Sequence, residues 1–215
     1  MNHDDDRDDG QTAGPNGARG SGFALAAEGG APAAIRDLSE ACVKFVERAV
    51  GVRLDYTPET LSVLDHYLAQ ARGAAPARPE AVPLLAQSAG AYFGEVVRRR
   101  FPAWWSAEGD DPTYWRVELE PVYLAFSPVQ LIEDALELPE SDREGESRLE
   151  LTEEDREAVA SRLAELPPVS IEEYFAPTTR LEVIEIAVEA IRARKMGAGE
   201  DADGALSPAD YDQVN

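Results

Sequence analysis

Apolar residues recur along this chain in two periods, and the change from one to the other divides it into helices and a short sheet. Leu38, Cys42, Phe45, Val46 and Ala49 fall at helical spacing with charges between them, which predicts an amphipathic helix from about Ile35 to Val50 with Cys42 on its buried stripe. Val52-Arg53-Leu54-Asp55-Tyr56 alternates and predicts a short strand. Thr57-Pro58-Glu59 then supplies an N-cap, a first-turn proline and a first-turn acid, so a helix starts there with Leu61, Leu64 and Leu68 inside. Gly73, Pro76 and Pro79 end it. A longer helix is predicted from about Glu80 to Arg100, with Leu85, Ala89, Tyr92 and Val96 on one side and Ala86, Gly90 and Gly94 on a second stripe. Each glycine costs about 1 kcal/mol against alanine inside a helix, so two of them one turn apart predict the close approach of another backbone.

Period two takes over from Tyr114 to Leu119, where Trp115, Val117 and Leu119 alternate with Tyr114, Arg116 and Glu118, and again from Val122 to Phe126. Glu120-Pro121 is too short for a crossover, which favours a hairpin over one strand bent at the proline. Ser127-Pro128 opens a helix reaching Leu138 with Leu131, Ala135 and Leu138 inside, and Pro139 to Glu150 reads as an exposed acidic loop. Thr152 with Asp155 and Thr179 with Glu182 resemble capping boxes, placing helices at about Glu153–Leu166 and Arg180–Lys195, with a short turn at Ser170–Glu173 between them. Leu181, Ile184, Val188 and Ile191 form the buried stripe of the last helix. The fold class predicted is α+β: one mostly helical domain around a small antiparallel sheet.

Length and composition agree with one domain, since 215 residues at 44% hydrophobic suffice for a single buried core. Residues 1–34 and 196–215 carry few large apolar side chains and are expected to be disordered acidic tails around a globular 35–195, although Tyr211 and Val214 could dock weakly. The formal net charge is −22, and Leu131–Lys195 holds 18 acids against 8 bases, a balance of −10. Such a field repels phosphate and anionic lipid and favours a basic protein partner, so direct nucleic-acid binding and membrane association are not expected. No apolar run approaches the roughly 18 residues of a membrane span. A single cysteine excludes an internal disulfide, and with an acidic N-terminus unlike a secretory leader the protein is expected to be cytoplasmic.

Candidate chemistry is sparse. His66 has no second ligand at metal-binding spacing, Cys42 lies on an apolar stripe, and Gly90-Ala-Tyr-Phe-Gly94 sits inside a helix instead of opening one, so neither a cofactor nor a metal is expected. Glu118, Glu120, Glu133 and Asp134 read as solvated acids. Glu95 beside Arg98, Arg99 and Arg116 reads as a structural ion pair, or with Tyr92 as part of a polar pocket. Trp104, Trp105, Tyr114, Trp115, Tyr123 and Phe126, interspersed with arginines, have the composition either of a core around the sheet or of an interface hot spot. The leading functional expectation is a non-catalytic binding module of immunity, chaperone or adaptor type that engages a basic partner through Trp104, Trp105, Trp115, Arg116, Glu153 and Glu154. The alternative is a carboxylate-based or metal-assisted hydrolase in which Glu95, Glu118 and Glu120 converge in one cleft. An acidic mimic of nucleic acid is a lesser third reading.

The Asp55-Tyr-Thr-Pro58 helix start, the Gly90-Ala-Tyr-Phe-Gly-Glu95 helix, the following tryptophan, the paired strands and the Pro128 helix start together resemble a scattered group of uncharacterised bacterial proteins. The resemblance covers about Leu54 to Leu138 and implies a compact α+β domain with no activity to carry over. Phe101-Pro102-Ala103-Trp104 stands where that group usually has a Gly-Gly-x-Trp turn.

Overall fold

The computed structural model describes residues 30–139 and 148–213. The core is assembled around one helix. Helix α3 (Val82–Arg100) buries eleven residues, from Ala86 to Val97, because small side chains let neighbours approach on two sides. Helices α1 (Ala33–Val50) and α4 (Pro128–Glu137) pack against it, and α2 (Leu61–Ala74) packs on both of those. A Cβ added to Gly90 would meet the Val129 Cα at 2.7 Å, and one added to Gly94 would meet the Trp105 ring and Pro128. The close backbone approach predicted from the two glycines is therefore present, and its partner is the start of α4.

The end of α3 leads directly into a four-stranded antiparallel sheet of order β1-β2-β3-β4: β1 is Ala103–Ser106, β2 Arg116–Leu119, β3 Leu124–Phe126 and β4 Glu150–Leu151. Val117 pairs with Phe126 and Glu118 with Ala125, so the expected hairpin forms. Two strands were not predicted. β1 is Ala-Trp-Trp-Ser, with both tryptophans buried, so it shows no alternation of apolar and polar residues. β4 has two residues at the end of the expected loop, most of which lies outside the described residues. Successive side chains leave a strand on opposite faces. Trp105, Val117 and Phe126 therefore share the inner face toward α3, while Trp104, Glu118 and Ala125 share the outer one.

The C-terminal third follows as α5 (Glu153–Leu163), the single turn α6 (Ile171–Tyr174), α7 (Pro177–Ala198) and the single turn α8 (Pro208–Tyr211). Ser127, Thr152 and Ser170 each accept a hydrogen bond from the backbone N–H three residues on, as their spacing predicts. The stripe Leu181, Ile184, Val188 and Ile191 is buried. Three expectations are corrected. Val52–Tyr56 is a loop: Gly51 turns the chain at φ 78°, no strand pairs with it, and the Tyr56 N–H donates to the Tyr92 hydroxyl at 3.0 Å. Helix α7 begins at Pro177, without a Thr179 box. Its first turn is capped from a distance by the Asp65 carboxylate of α2, which accepts from the Thr178 N–H at 3.2 Å and from the Thr178 hydroxyl at 2.5 Å.

The third correction concerns 196–215. Gly199 ends α7 in the left-handed conformation, Glu200 pairs with Arg194, and the chain returns across the outer face of the sheet. Tyr211 is 1% exposed there. Its ring stacks on Tyr123 at 4.5 Å and meets Trp104 edge-on at 5.7 Å. Its hydroxyl lies 2.7, 3.0 and 3.1 Å from the Leu119, Val122 and Leu124 carbonyls and accepts from the Leu124 N–H. One aromatic side chain with a polar tip thus orders a segment whose composition is otherwise that of a tail. The segment 1–34, also expected to be disordered, lies outside the described residues except at its end, where Ala31 is buried and α1 begins.

Two substitutions test this packing. Gly90→Ala is expected to lower stability by about 1–3 kcal/mol through overpacking against the α4 backbone. A gain of about 1 kcal/mol on chemical denaturation, the value helix propensity alone would give, would refute the close approach. Tyr211→Phe is expected to cost about 1–3 kcal/mol, because it leaves the Leu124 N–H without its acceptor; an unchanged denaturation midpoint would show that the hydroxyl contributes nothing.

Candidate functional site

Adjacent tryptophans on β1 build two polar centres, one on each face of the sheet. On the inner face the Trp105 indole N–H donates to Glu95 Oε1 at 2.8 Å, and Arg98 grips the same carboxylate through Nε and Nη2 at 2.8 and 2.9 Å. Glu95 is 4% exposed. Burial pushes its carboxyl up, but the hydrogen bonds from Arg98 and Trp105 together with the Arg98 charge outweigh burial and hold it below the usual carboxylate range. Tyr92, the other predicted pocket residue, is fully buried three residues earlier, its hydroxyl engaged by the Tyr56 N–H and the Thr60 hydroxyl. Both side chains are placed as structural groups inside the core.

On the outer face the Trp104 indole donates to Glu118 Oε2 at 2.7 Å. Glu118 was read as an exposed strand position, but it is 2% exposed because Tyr211 and its segment cover that face. Burial raises its carboxyl above the usual range against the opposing pull of Trp104 and Arg116, and Asp212 adds to the rise. Arg116 bridges two strands, donating from Nη2 to Glu118 at 3.1 Å and from Nη1 to Glu150 at 2.8 Å. Beside this bridge a cavity of about 570 Å³ opens between the β1–β2 connection, the start of α4 and α8. Arg116, Glu150, Glu108, Asp212 and the Tyr114 ring line it together with the hydroxyls of Ser106, Thr113 and Ser127. A smaller cavity of about 330 Å³ lies between α2 and the α6–α7 junction, where His66 and Arg72 flank the capping carboxylate Asp65.

The remaining predicted residues are dispersed. Trp104, Trp105 and Trp115 are 5%, 5% and 7% exposed, which corrects their assignment to a partner surface and places them in the core. The Trp115 indole donates to the Gly109 carbonyl. Glu153 and Glu154 stand exposed in the first turn of α5. Glu95 and Glu118 lie on opposite faces of the sheet, so the cleft that a Glu95–Glu118–Glu120 hydrolase requires does not form. Cys42 is wholly buried, and burial pushes its thiol up to about 12, far from thiolate reactivity. His66 is exposed on α2. Sequence reasoning missed three carboxylates that hold elements together: the half-buried Asp65, and the buried Asp134 gripped by Arg148 and Asp155 paired with Arg194. The Thr152–Asp155 spacing marked one of them as a capping residue, but nothing local marks a partner 14 or 39 residues away.

Comparison of the chain with protein-family models, with curated proteins and with solved structures finds no match. No helix among the described residues is long and apolar enough to cross a membrane, and no group of three or more potential metal ligands is found among them.

The two buried glutamates respond oppositely to pH. Glu95 has a folded pKa below its unfolded value, so its contribution is full above about pH 4.3 and is lost as pH falls through the folded value. Glu95→Gln is therefore expected to cost about 2 kcal/mol near neutral pH and much less at about pH 3. Glu118 has a folded pKa above its unfolded value, so its contribution is full below the unfolded carboxylate range and is lost as pH rises through the folded value. The gap between wild type and Glu118→Gln should narrow as pH rises. Denaturation curves from about pH 3 to 7 measure both, and a pH-independent gap for Glu95→Gln would contradict its assignment.

Proposed function

We propose that the protein is a non-catalytic binding module that engages a basic protein partner through the acidic face of α5, α6 and α7. The observation that supports this reading most directly is where the charge lies. The carboxylates at chemically promising positions are buried and each is engaged, Glu95 by Arg98, Glu118 by Arg116, Asp134 by Arg148 and Asp155 by Arg194. The excess negative charge stands instead on exposed positions of the C-terminal helices: Glu153, Glu154 and Glu157 on α5, Glu172 and Glu173 on α6, and Glu182 and Glu189 on α7. Their partial ion pairs are loose, as between Glu153 and Arg156 at 3.5 Å with side-chain exposures of 91% and 58%. Exposed pairs of this kind hold charges in place by under about 1 kcal/mol and are readily exchanged for a partner's cations.

A net negative field over three helices speeds the approach of an opposite charge and is screened over about 10 Å at 0.1 M salt. Leu166 and Val169 on the α5–α6 connection and Ile171 at the start of α6, exposed by 46%, 46% and 40%, add apolar contact area beside these acids. Affinity capture of the full chain from a lysate of its own cells, at low and high salt, tests the reading. A stoichiometric basic protein that is lost at high salt, and is not retained by a Glu153→Gln/Glu154→Gln variant, is the expected outcome. Retention of nothing basic at either salt concentration would overturn it.

A further inference from the structure

The cavity on the outer face of the sheet carries a charge imbalance that its own residues do not settle. Arg116 is the one cation among its lining residues, and it is already divided between Glu118 at 3.1 Å and Glu150 at 2.8 Å. Against that single positive charge stand Glu150, Glu108 and Asp212 on the wall and the buried Glu118 beneath. The Glu108 and Asp212 side chains are exposed and accept no hydrogen bond from the described residues. The negative field is felt by the protein's own groups, since Asp212 adds to the rise that burial imposes on the Glu118 carboxyl.

Two further properties are independent of this charge. The cavity, half open to solvent, offers about 570 Å³, within the range of small-molecule sites. Tyr114, which contributes to its wall, is the most exposed large hydrophobic or aromatic side chain among the described residues at 69%. A phenol ring presents a negative face, which attracts a cation placed over it by about 0.5–1 kcal/mol at an exposed site. Volume, an aromatic face and unmatched negative charge coincide at one place. An anion is excluded by the sign of the charge, and an apolar guest by the hydroxyl, amide and carboxylate lining.

We infer that this cavity receives an arginine side chain of the basic partner; the inference rests on the binding-module reading and assigns it a second contact, away from α5. A planar guanidinium suits the arrangement better than an ammonium. Its five donors, fixed in one plane, suit a site that offers more than one carboxylate, here Glu108 and Asp212, and that plane suits stacking on an aromatic ring, here Tyr114.

Calorimetric and amide-shift titration of the full chain with Nα-acetyl-arginine methylamide tests this, with the uncharged Nα-acetyl-citrulline methylamide in parallel. Binding of the arginine compound is expected with shifts centred on Ser106, Thr113, Arg116 and Gln130, and at least ten-fold weaker binding of the citrulline compound. Glu108→Gln/Asp212→Asn should weaken arginine binding ten-fold or more, and Tyr114→Ala about three-fold. The remote exposed Glu80→Gln should leave it unchanged. Equal affinity for citrulline, or an unaltered arginine affinity in the double variant, would overturn the assignment. Failure here is separable from failure of the module itself: a basic partner captured equally by wild type and Glu108→Gln/Asp212→Asn, but lost from Glu153→Gln/Glu154→Gln, overturns the pocket and leaves the acidic face standing.

Discussion

Two indole N–H groups, side by side on one strand, each require an acceptor inside the protein, and the architecture follows from where those acceptors come from. Trp105 finds Glu95 on α3, which fixes the roll of that helix against the inner face of the sheet. Trp104 finds Glu118 across the β1–β2 pair, which fixes a carboxylate on the outer face. Neither carboxylate is tolerable there alone, since a buried charge must be paired. Arg98 therefore completes one centre and Arg116 the other. The arginine on the outer face then draws Glu150 to it, and with Glu150 comes the two-residue fourth strand.

The close helix packing behind the inner centre is the second constraint. Gly94 leaves room for the Trp105 ring and Gly90 for the Val129 backbone, so the sheet and α4 are seated on neighbouring turns of one helix. A glycine pair that weakens α3 as an isolated helix strengthens the assembly, because dispersion and burial at such short range exceed the propensity lost.

Much of this was legible in the sequence where the controlling interaction is local. The apolar stripes of α2 and α7, the side-chain caps at Ser127, Thr152 and Ser170, and the hairpin between β2 and β3 each depend on residues within a few positions of one another. What was not legible depends on distant partners. β1 has no alternation because α3 covers one of its faces and Tyr211 the other, and the position of Glu118 reads as solvent-facing until residues almost a hundred positions later cover it. Tyr211 itself stands in a run of Asp, Gly, Ser and Pro that carries no signal except that single ring. At the candidate cavity the lining residues come from four separate stretches of chain, so composition could suggest only that acids are abundant.

The Asp65 cap on α7 has a consequence for how the molecule assembles. In the longest helix among the described residues, the Thr178 N–H of the first turn is answered by a side chain 113 residues earlier, with no side chain of its own flanking residue in that role. The first turn of α7 consequently frays on its own and closes only after α2 has formed and the intervening chain has been drawn in, at the entropic cost of closing a long loop. Closure of the first turn of α7 is thus coupled to formation of α2 in the N-terminal half, whereas α5 and α6 carry their own local caps.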